Sequence, residues 1–498
     1  MELNTKTLLD FDAALDVPNY DRSKVTTGIV HFGVGGFHRA HQAMYIDALL
    51  RRGEGFDWGI CGVGVMPSDK RMKDALRAQD GLYTLALKHS DGTLEARVIG
   101  SIVEYLFAPE DPEAVIEKMA SESTKIVSLT ITEGGYNISH TTGEFDASDP
   151  DVMHDLEPGT LPRTTFGLIC AALALRRDRG LAPFTIMSCD NIEGNGSVAK
   201  TAVGAFAALK DPELAEWIDE NGAFPNSMVD RITPVTTAEV TTEIAETFGV
   251  EDQWPVAAEP FTAWFLEDEF TSGRPPLENA GVNLVPDVRP YELMKLRLLN
   301  AGHQGIAYFG YLAGYRLVHE ACQDELLSGF LLDYMNLEAT PTLDPVPGVD
   351  LDQYKKTLIE RFSNPQVRDT IARLCAESSD RIPKWLLPVI RTQLDTGGSI
   401  NLSTAIVASW ARYAEAQTRT EIPSPSSISC RTLLCRSPRN SRATRWPSSG
   451  TDKCSAISWT IADLSQASER PSTRCTPSGP EEPSRRCAGS DYAVTSCR

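Results

Sequence analysis

The sequence predicts an α/β protein in two parts: a sheet-bearing N-terminal domain over residues 1–285 and a mainly α-helical C-terminal domain over 286–420. Three observations carry this expectation. Up to about residue 285, short apolar runs ending in small or polar residues alternate with helical stretches, the pattern of a mostly parallel sheet. Gly33, Gly35 and Gly36 cluster where the first apolar run meets the first helical stretch. After Pro290, helical periodicity takes over in MKLRLLNAGHQGIAYFGYLAGY, in residues 351–375 and in STAIVASWARYAEA, with the proline-rich EATPTLDPVPGVD as a connector.

The first element is TTGIVHFGVGGFHRAHQAMYIDALL, a β-type run ending at Phe32, a glycine turn, and a helix with one apolar face. Such a turn lets pyrophosphate oxygens approach the backbone and meet free N–H groups at the helix start. It predicts a Rossmann-type domain with Gly33, Gly35, Gly36, Phe37 and His38 at a dinucleotide. His38 stands where G-x-G-x-x-G has its third glycine, so a glycine turn without a ligand stays open as an alternative.

The second run, DWGICGVGVMPSD, reads as a buried strand ending in Asp69. A carboxylate there can accept the adenosine ribose hydroxyls and repel a 2′-phosphate, which would favour NAD over NADP. Asp69 lies 34 residues past Gly35, and a plain turn aspartate is the alternative. Further runs follow in TLEARVIGSIVEYL, TKIVSLTITEGGY and PFTIMSCDN. Their ends bring Thr132, Glu133, Asp190 and Asn191 to the C-terminal edge of the sheet, where ligands of such sheets bind. Asp190 or Asn191 capping the helix after NIEGNG is the alternative.

Composition excludes several function classes. The chain has 498 residues, 42% of them hydrophobic, and a formal net charge of -21. That charge argues against nucleic acid or an anionic membrane surface as a partner. No run reaches the roughly 18 apolar residues of a membrane span, and the acidic start MELNTKTLLDFDAALDVPNYDRSKV lacks the pattern of a secretory signal. A cytoplasmic location is expected.

The composition breaks near residue 420. Residues 421–498 hold 17 serines, 8 prolines, 10 arginines and 6 of the 11 cysteines, without phenylalanine or histidine. Their 11 basic and 7 acidic residues give about +4, leaving about -25 for residues 1–420. A disordered tail rarely concentrates cysteine and tryptophan, and a secreted cysteine-rich module conflicts with the missing signal. Out-of-frame translation of a GC-rich gene explains the Ser, Pro, Arg, Thr and Cys bias best. Residues 421–498 are therefore expected to be an aberrant replacement for the last helices.

YELMKLRLLNAGH, Tyr291–His303, sets Lys295, Asn300 and His303 inside an apolar helical pattern. At α-helical spacing Asn300 lies about 140° and His303 about 80° around from Lys295, so all three share one broad face. With FPNSMVDRITP, and with GVGGFHRAH, ITEGGY and SCDN upstream, this segment resembles the long-chain polyol dehydrogenase family. Five separated motifs occur in the family's order, over roughly residues 20–420.

The resemblance implies a Rossmann-type domain, a mainly helical C-terminal domain, a site in the cleft between them, and metal-free NAD(P)-linked oxidation of sugar alcohols by a monomer. It implies mannitol and its ketose, fructose, as substrates, with arabinitol and sorbitol as further candidates. A hexuronate reductase and a catalytically silent dinucleotide sensor are the alternatives. No metal is expected: Cys61, Cys170, Cys189, Cys322 and Cys375 lie far apart, and His38 and His41 follow the phosphate turn.

Oxidising a secondary alcohol requires a base and a stabiliser of the developing alkoxide. A lysine in a dry cleft loses its proton more easily, so Lys295 would be the general base. Asn191 and Asn300 would donate amide N–H groups to the alkoxide, worth about 3 kcal/mol per donor. His303 would hold a substrate hydroxyl. A snorkelling Lys295 and an interior His303 are the alternatives. Glu292, three residues before Lys295, would relay the proton to solvent or form a surface ion pair. Asp230 and Arg231 would bind polyol hydroxyls, brace the domain junction, or pair with each other. Arg373 and Lys384 are substrate candidates. Arg381, at a position usually Lys in the family, keeps the charge but changes the hydrogen-bond geometry.

Overall fold

The computed structural model describes residues 1–11, 15–139 and 143–415. The segment 421–498, and with it the proposed frame error, lies outside the described residues.

Strand formation follows the burial pattern. Thr27–Phe32 and Gly59–Gly64 are almost continuously buried runs, as strands covered on both faces must be. With Ile102–Phe107, Ile126–Leu129 and Thr185–Ser188 they form a five-stranded parallel sheet. The order from one edge is Ile102–Phe107, Gly59–Gly64, Thr27–Phe32, Ile126–Leu129, Thr185–Ser188. Numbered along the chain this is 3-2-1-4-5, the Rossmann arrangement, with its crevice where the order reverses beside Thr27–Phe32. Helices cover both faces. Gln42–Arg51 packs Met44, Ile46, Leu49 and Leu50 on one side. Thr165–Asp178 and Asn195–Lys210 pack Leu168, Leu173, Val203 and Phe206 on the other.

The run TLEARVIGSIVEYL is not one strand. Leu94–Ile99 pairs antiparallel with Tyr83–Lys88 in a separate four-stranded sheet, and only Ile102–Phe107 joins the central one. Gly100 and Ser101 make the break, where the Ser101 hydroxyl donates to the Ala43 carbonyl. A third sheet orders Asn283–Val285, Ala263–Glu267 and Ser227–Asp230.

From Arg289 the chain is helical. Arg289–Met294 leads through a π turn, Lys295–Asn300, into Ala301–Ala313. The expected 351–375 helix is two, Leu351–Phe362 and Ile371–Cys375. Asn364 precedes Pro365, and a residue before proline is driven out of the α region, so the helix stops there. Asn401–Ala414 closes the described chain. Its first turn is held by the buried carboxylate of Glu338, which accepts from the backbone N–H groups of Leu402 (2.8 Å) and Ser403 (2.7 Å).

Candidate active site

At the crevice, Gly33 follows the first strand with φ +89°, a conformation that suits glycine. A β-carbon there would lie 2.1 Å from the Thr130 carbonyl oxygen, so the two strand ends meet only without a side chain. Gly35 differs. Its missing β-carbon would meet nothing nearer than the Gly33 oxygen at 3.8 Å, leaving a cradle open for a bound group. A cleft of about 460 Å³ begins at this turn and runs to the helical domain.

The cleft brings together most of the predicted residues. Gly33, Gly35, Gly36, Phe37, His38, Thr132, Asp190, Asn191, Asp230, Arg231, Lys295, Asn300, His303 and Arg373 all line it. Asp69, Glu133, Glu292 and Lys384 are not among its lining residues.

Lys295 is buried, and its Nζ donates to Asn191 Oδ1 and to the Val229 carbonyl, each at 2.6 Å. It therefore does not snorkel. Burial pushes the pKa of its ammonium below the ordinary lysine value, and the nearby Arg361 cation adds to this against Asp230 and Glu292. With Oδ1 turned to Lys295, the Asn191 Nδ2 remains as a donor. Asn300 Oδ1 and His303 Nε2 are buried without a hydrogen-bond partner. Two orphaned polar atoms on one wall mark where a polar ligand would fit. Burial holds the His303 imidazole well below its usual pKa, and Phe362 stacks on it at 4.2 Å.

The π turn explains how Lys295 and Asn300 share this wall. An α-helix would separate them by about 140°. Hydrogen bonds from i to i+5 widen the turn, so residues five apart come nearly one above the other.

Several expectations need correction. Asp69 is not strand-final: the strand ends at Gly64, and Asp69 Oδ2 accepts from the Val65 and Met66 N–H groups at 2.9 Å each. These bonds hold its carboxylate in the turn that follows the strand. Asp190 caps no helix, because Asn195–Lys210 starts from Gly194 without a side-chain cap. Its buried carboxylate accepts instead from the N–H groups of Ile131 (3.0 Å) and Thr132 (2.9 Å) and from the Tyr136 hydroxyl (2.8 Å). Burial raises its pKa to about 6. The clamp holds Thr132 at φ +62°, a strained backbone for a β-branched residue at the cleft wall.

Asp230 and Arg231 do not pair with each other. Asp230 takes a bidentate bond from Arg361, 2.9 Å on both oxygens, and Arg361 also binds Glu259 at 2.9 and 2.7 Å. Arg231 donates to the backbone carbonyls of Ala40 and Glu259. Lys384 pairs with Glu133 rather than facing the cleft. Arg381 and Trp385, its neighbours on the same π-containing segment, line the cleft in its place. Glu292 is buried, not in a surface ion pair, and its Oε1 accepts from the Gly194 N–H at 3.1 Å. Burial raises its pKa to about 7. Beside it and Lys295 lies a second cavity of about 10 Å³, the size of one water.

Arg361, Glu259 and His31 carry weight that sequence reasoning missed. Arg361 had a signal: it sits with Leu358 and Phe362 on the buried face of Leu351–Phe362. A histidine inside the apolar run GIVHF was another. Among the described residues, no group of three or more His, Cys, Asp or Glu is placed to hold a metal ion. No helix among them is long and apolar enough to cross a membrane.

A Rossmann sheet open at its switch point, joined to a helical domain that adds a buried lysine, defines a dehydrogenase-type oxidoreductase. The chain belongs to the mannitol dehydrogenase family. Family models described as the mannitol dehydrogenase Rossmann domain and C-terminal domain match residues 27–279 and 287–425. The mannitol 2-dehydrogenase of Phaeosphaeria nodorum is 49% identical over 416 residues, 83% of this chain and 73% of the relative. That of Aspergillus terreus is 49% identical over 423 residues, 83% and 84% of the two chains. Among solved structures, Pseudomonas fluorescens mannitol 2-dehydrogenase in ternary complex with NAD and D-mannitol superposes with a TM-score of 0.82 at 45% identity, covering 87% of this chain and 89% of that one. A D-sorbitol dehydrogenase in substrate-free form gives 0.79 at 40% identity, covering 84% and 87%.

Proposed function

We propose that this chain is an NAD-dependent, metal-independent mannitol 2-dehydrogenase that interconverts D-mannitol and D-fructose, with D-arabinitol and D-sorbitol as further substrates. The observation that carries the proposal is the buried Lys295 Nζ, held 2.6 Å from Asn191 Oδ1 on the same cleft as the orphaned Asn300 Oδ1 and His303 Nε2. The open cradle at Gly35 and the unpartnered His38 Nε2 fit a dinucleotide. NAD, when bound, supplies the acceptor for the hydride.

Lys295 takes the hydroxyl proton. Asn191 and Asn300 steady the alkoxide through their amide N–H groups, and His303 Nε2 engages a substrate hydroxyl. Glu292, titrating near neutrality beside a water-sized cavity, passes the proton outward. Arg373 and Arg381 approach the polyol from the helical domain. A monomeric enzyme belongs to the same proposal, and size-exclusion chromatography tests it. A cytoplasmic location belongs to the same proposal and is tested by fractionation.

The same two arginines favour a second possibility, a hexuronate reductase, because an acid sugar's carboxylate needs a cation in the cleft. An NADH-absorbance assay with mannitol, sorbitol, arabinitol and mannonate separates the two. Mannitol turnover that survives a chelator is expected. Mannonate turnover without mannitol turnover selects the reductase, and activity lost to chelation and regained with zinc removes the lysine-based chemistry.

A further inference from the structure

We propose that His38 is a neutral hydrogen-bond acceptor, its bare Nε2 taking an uncharged O–H or N–H donor of the bound dinucleotide, a ribose hydroxyl or the carboxamide, and not a phosphate oxygen. The proposal rests on the NAD-dependent function above.

A chain of hydrogen bonds sets the tautomer, starting from a group that can only accept. The Ala263 carbonyl lies 3.0 Å from His41 Nε2, so that nitrogen carries the proton and His41 Nδ1 is bare. Gln42 Nε2 then donates to His41 Nδ1 at 3.1 Å, which turns Gln42 Oε1 the other way. This oxygen lies 3.2 Å from His38 Nδ1, so Nδ1 carries the His38 proton and Nε2 presents a lone pair. His38 is buried, 1% exposed, its Nε2 has no partner, and it lines the cleft that holds Lys295 and the glycine turn.

Its neighbour keeps it uncharged. The rings of His31 and His38 stack with centroids 3.4 Å apart and planes within 12°. His31 is fixed by the same logic. The Thr130 hydroxyl donates to the Gly33 carbonyl at 2.7 Å, so it accepts from His31 Nε2 at 3.0 Å. Ser128 then donates to His31 Nδ1 at 2.8 Å. A neutral His31 pressed against a neutral His38 is stable; an imidazolium beside the buried, cationic Arg39 is not. A bare, neutral Nε2 repels an anionic phosphate oxygen and attracts a hydroxyl or amide proton.

The full chain labelled with ¹⁵N-histidine tests the tautomer with no ligand present, the His38 signals being assigned by their loss in His38→Phe. A protonated Nδ1 and an unprotonated Nε2 that shifts on adding NADH are expected; a protonated Nε2 overturns the proposal. In fluorescence titrations, His38→Phe, which keeps a ring on His31, should bind NADH about tenfold more weakly, and His38→Gln, which offers an amide oxygen, should recover part of this. Unchanged affinity in His38→Phe overturns the proposal. If the loss persists with ADP-ribose, the donor is a ribose hydroxyl. If it vanishes with ADP-ribose and with a dinucleotide carrying acetyl in place of carboxamide, the donor is the carboxamide. Wild-type protein that binds no NADH removes the NAD-dependent function itself, while the tautomer measurement still stands.

Discussion

At the residue scale, the chemistry turns on how burial shifts two ionisable groups in opposite directions. Burial lowers the pKa of Lys295 and raises that of Glu292 to about 7, so each neutral form is easier to reach near physiological pH. Lys295→Ala should retain NADH binding and lose at least about a hundredfold in turnover, with partial rescue by added primary amines. Wild-type turnover in that variant would remove the base assignment. Glu292 carries a linked stability effect. A carboxyl whose folded pKa exceeds its unfolded value favours folding below pH 4.5, and that contribution is lost as pH rises through about 7. Glu292→Gln should therefore match wild type in melting at pH 4.5 and exceed it at pH 8, by up to about 3 kcal/mol. Its polyol KM should stay close to wild type while proton release slows. Equal stability at pH 8 would show that Glu292 is not neutralised by burial.

At the element scale, the π turn Lys295–Asn300 is the device that assembles the wall. It amounts to one extra residue absorbed into an otherwise α-helical run, so that residues five apart align much as residues four apart do in a plain α-helix. Deleting Arg297, which is half-buried, should restore plain α-helical winding with Lys295 and Asn300 four residues and about 40° apart, so the shared face is kept. The deletion variant is expected to keep its helical circular dichroism and NADH affinity, with kcat/KM within about tenfold of wild type. A loss of about a hundredfold or more would show that the wall depends on the wider π turn and not on the shared face alone. Helical periodicity placed the apolar face of this segment well enough, yet it could not reveal the π turn, because one inserted residue leaves the hydrophobic pattern nearly unchanged. The same limit applies to Arg381, Lys384 and Trp385, where a π turn decides which side chains reach the cleft.

At the scale of the whole molecule, Arg361 ties the helical domain to the third sheet through Asp230 and to the four-stranded sheet through Glu259, which follows its strand Val256–Ala258, all three side chains being buried. Burial alone would raise the Asp230 carboxyl, but the Arg361 guanidinium holds it below its usual value. Arg361→Leu would strand two carboxylates in the interior, a loss of roughly 3–5 kcal/mol seen as a lower melting temperature. It would also remove a cation that lowers the Lys295 pKa and leave Asp230, which raises it. The pH profile of mannitol oxidation should then move to higher pH. A profile that stays in place would show that Arg361 only braces the fold.

Much of the architecture was legible because it depends on short-range patterns. Buried strands announce themselves as apolar runs, and the turn at Gly33, with φ +89°, favours glycine by its own backbone conformation. Lys295, Asn300 and His303 were visible as polar residues that an apolar helix face has no use for. The partners of Asp190 and Asp230 were not legible, because they depend on which backbone or guanidinium groups arrive from elsewhere in the chain. The order of residues thus determined a Rossmann-type domain followed by helices, and the set of polar side chains offered to the cleft. Only the tertiary structure decided which carboxylates are spent on backbone and Arg361, which nitrogen of His38 is bare, and how Lys295 meets Asn300. Those outcomes hang on partners as many as 222 residues apart, as His41 and Ala263 are, and on one extra residue in a helix, neither of which local periodicity records.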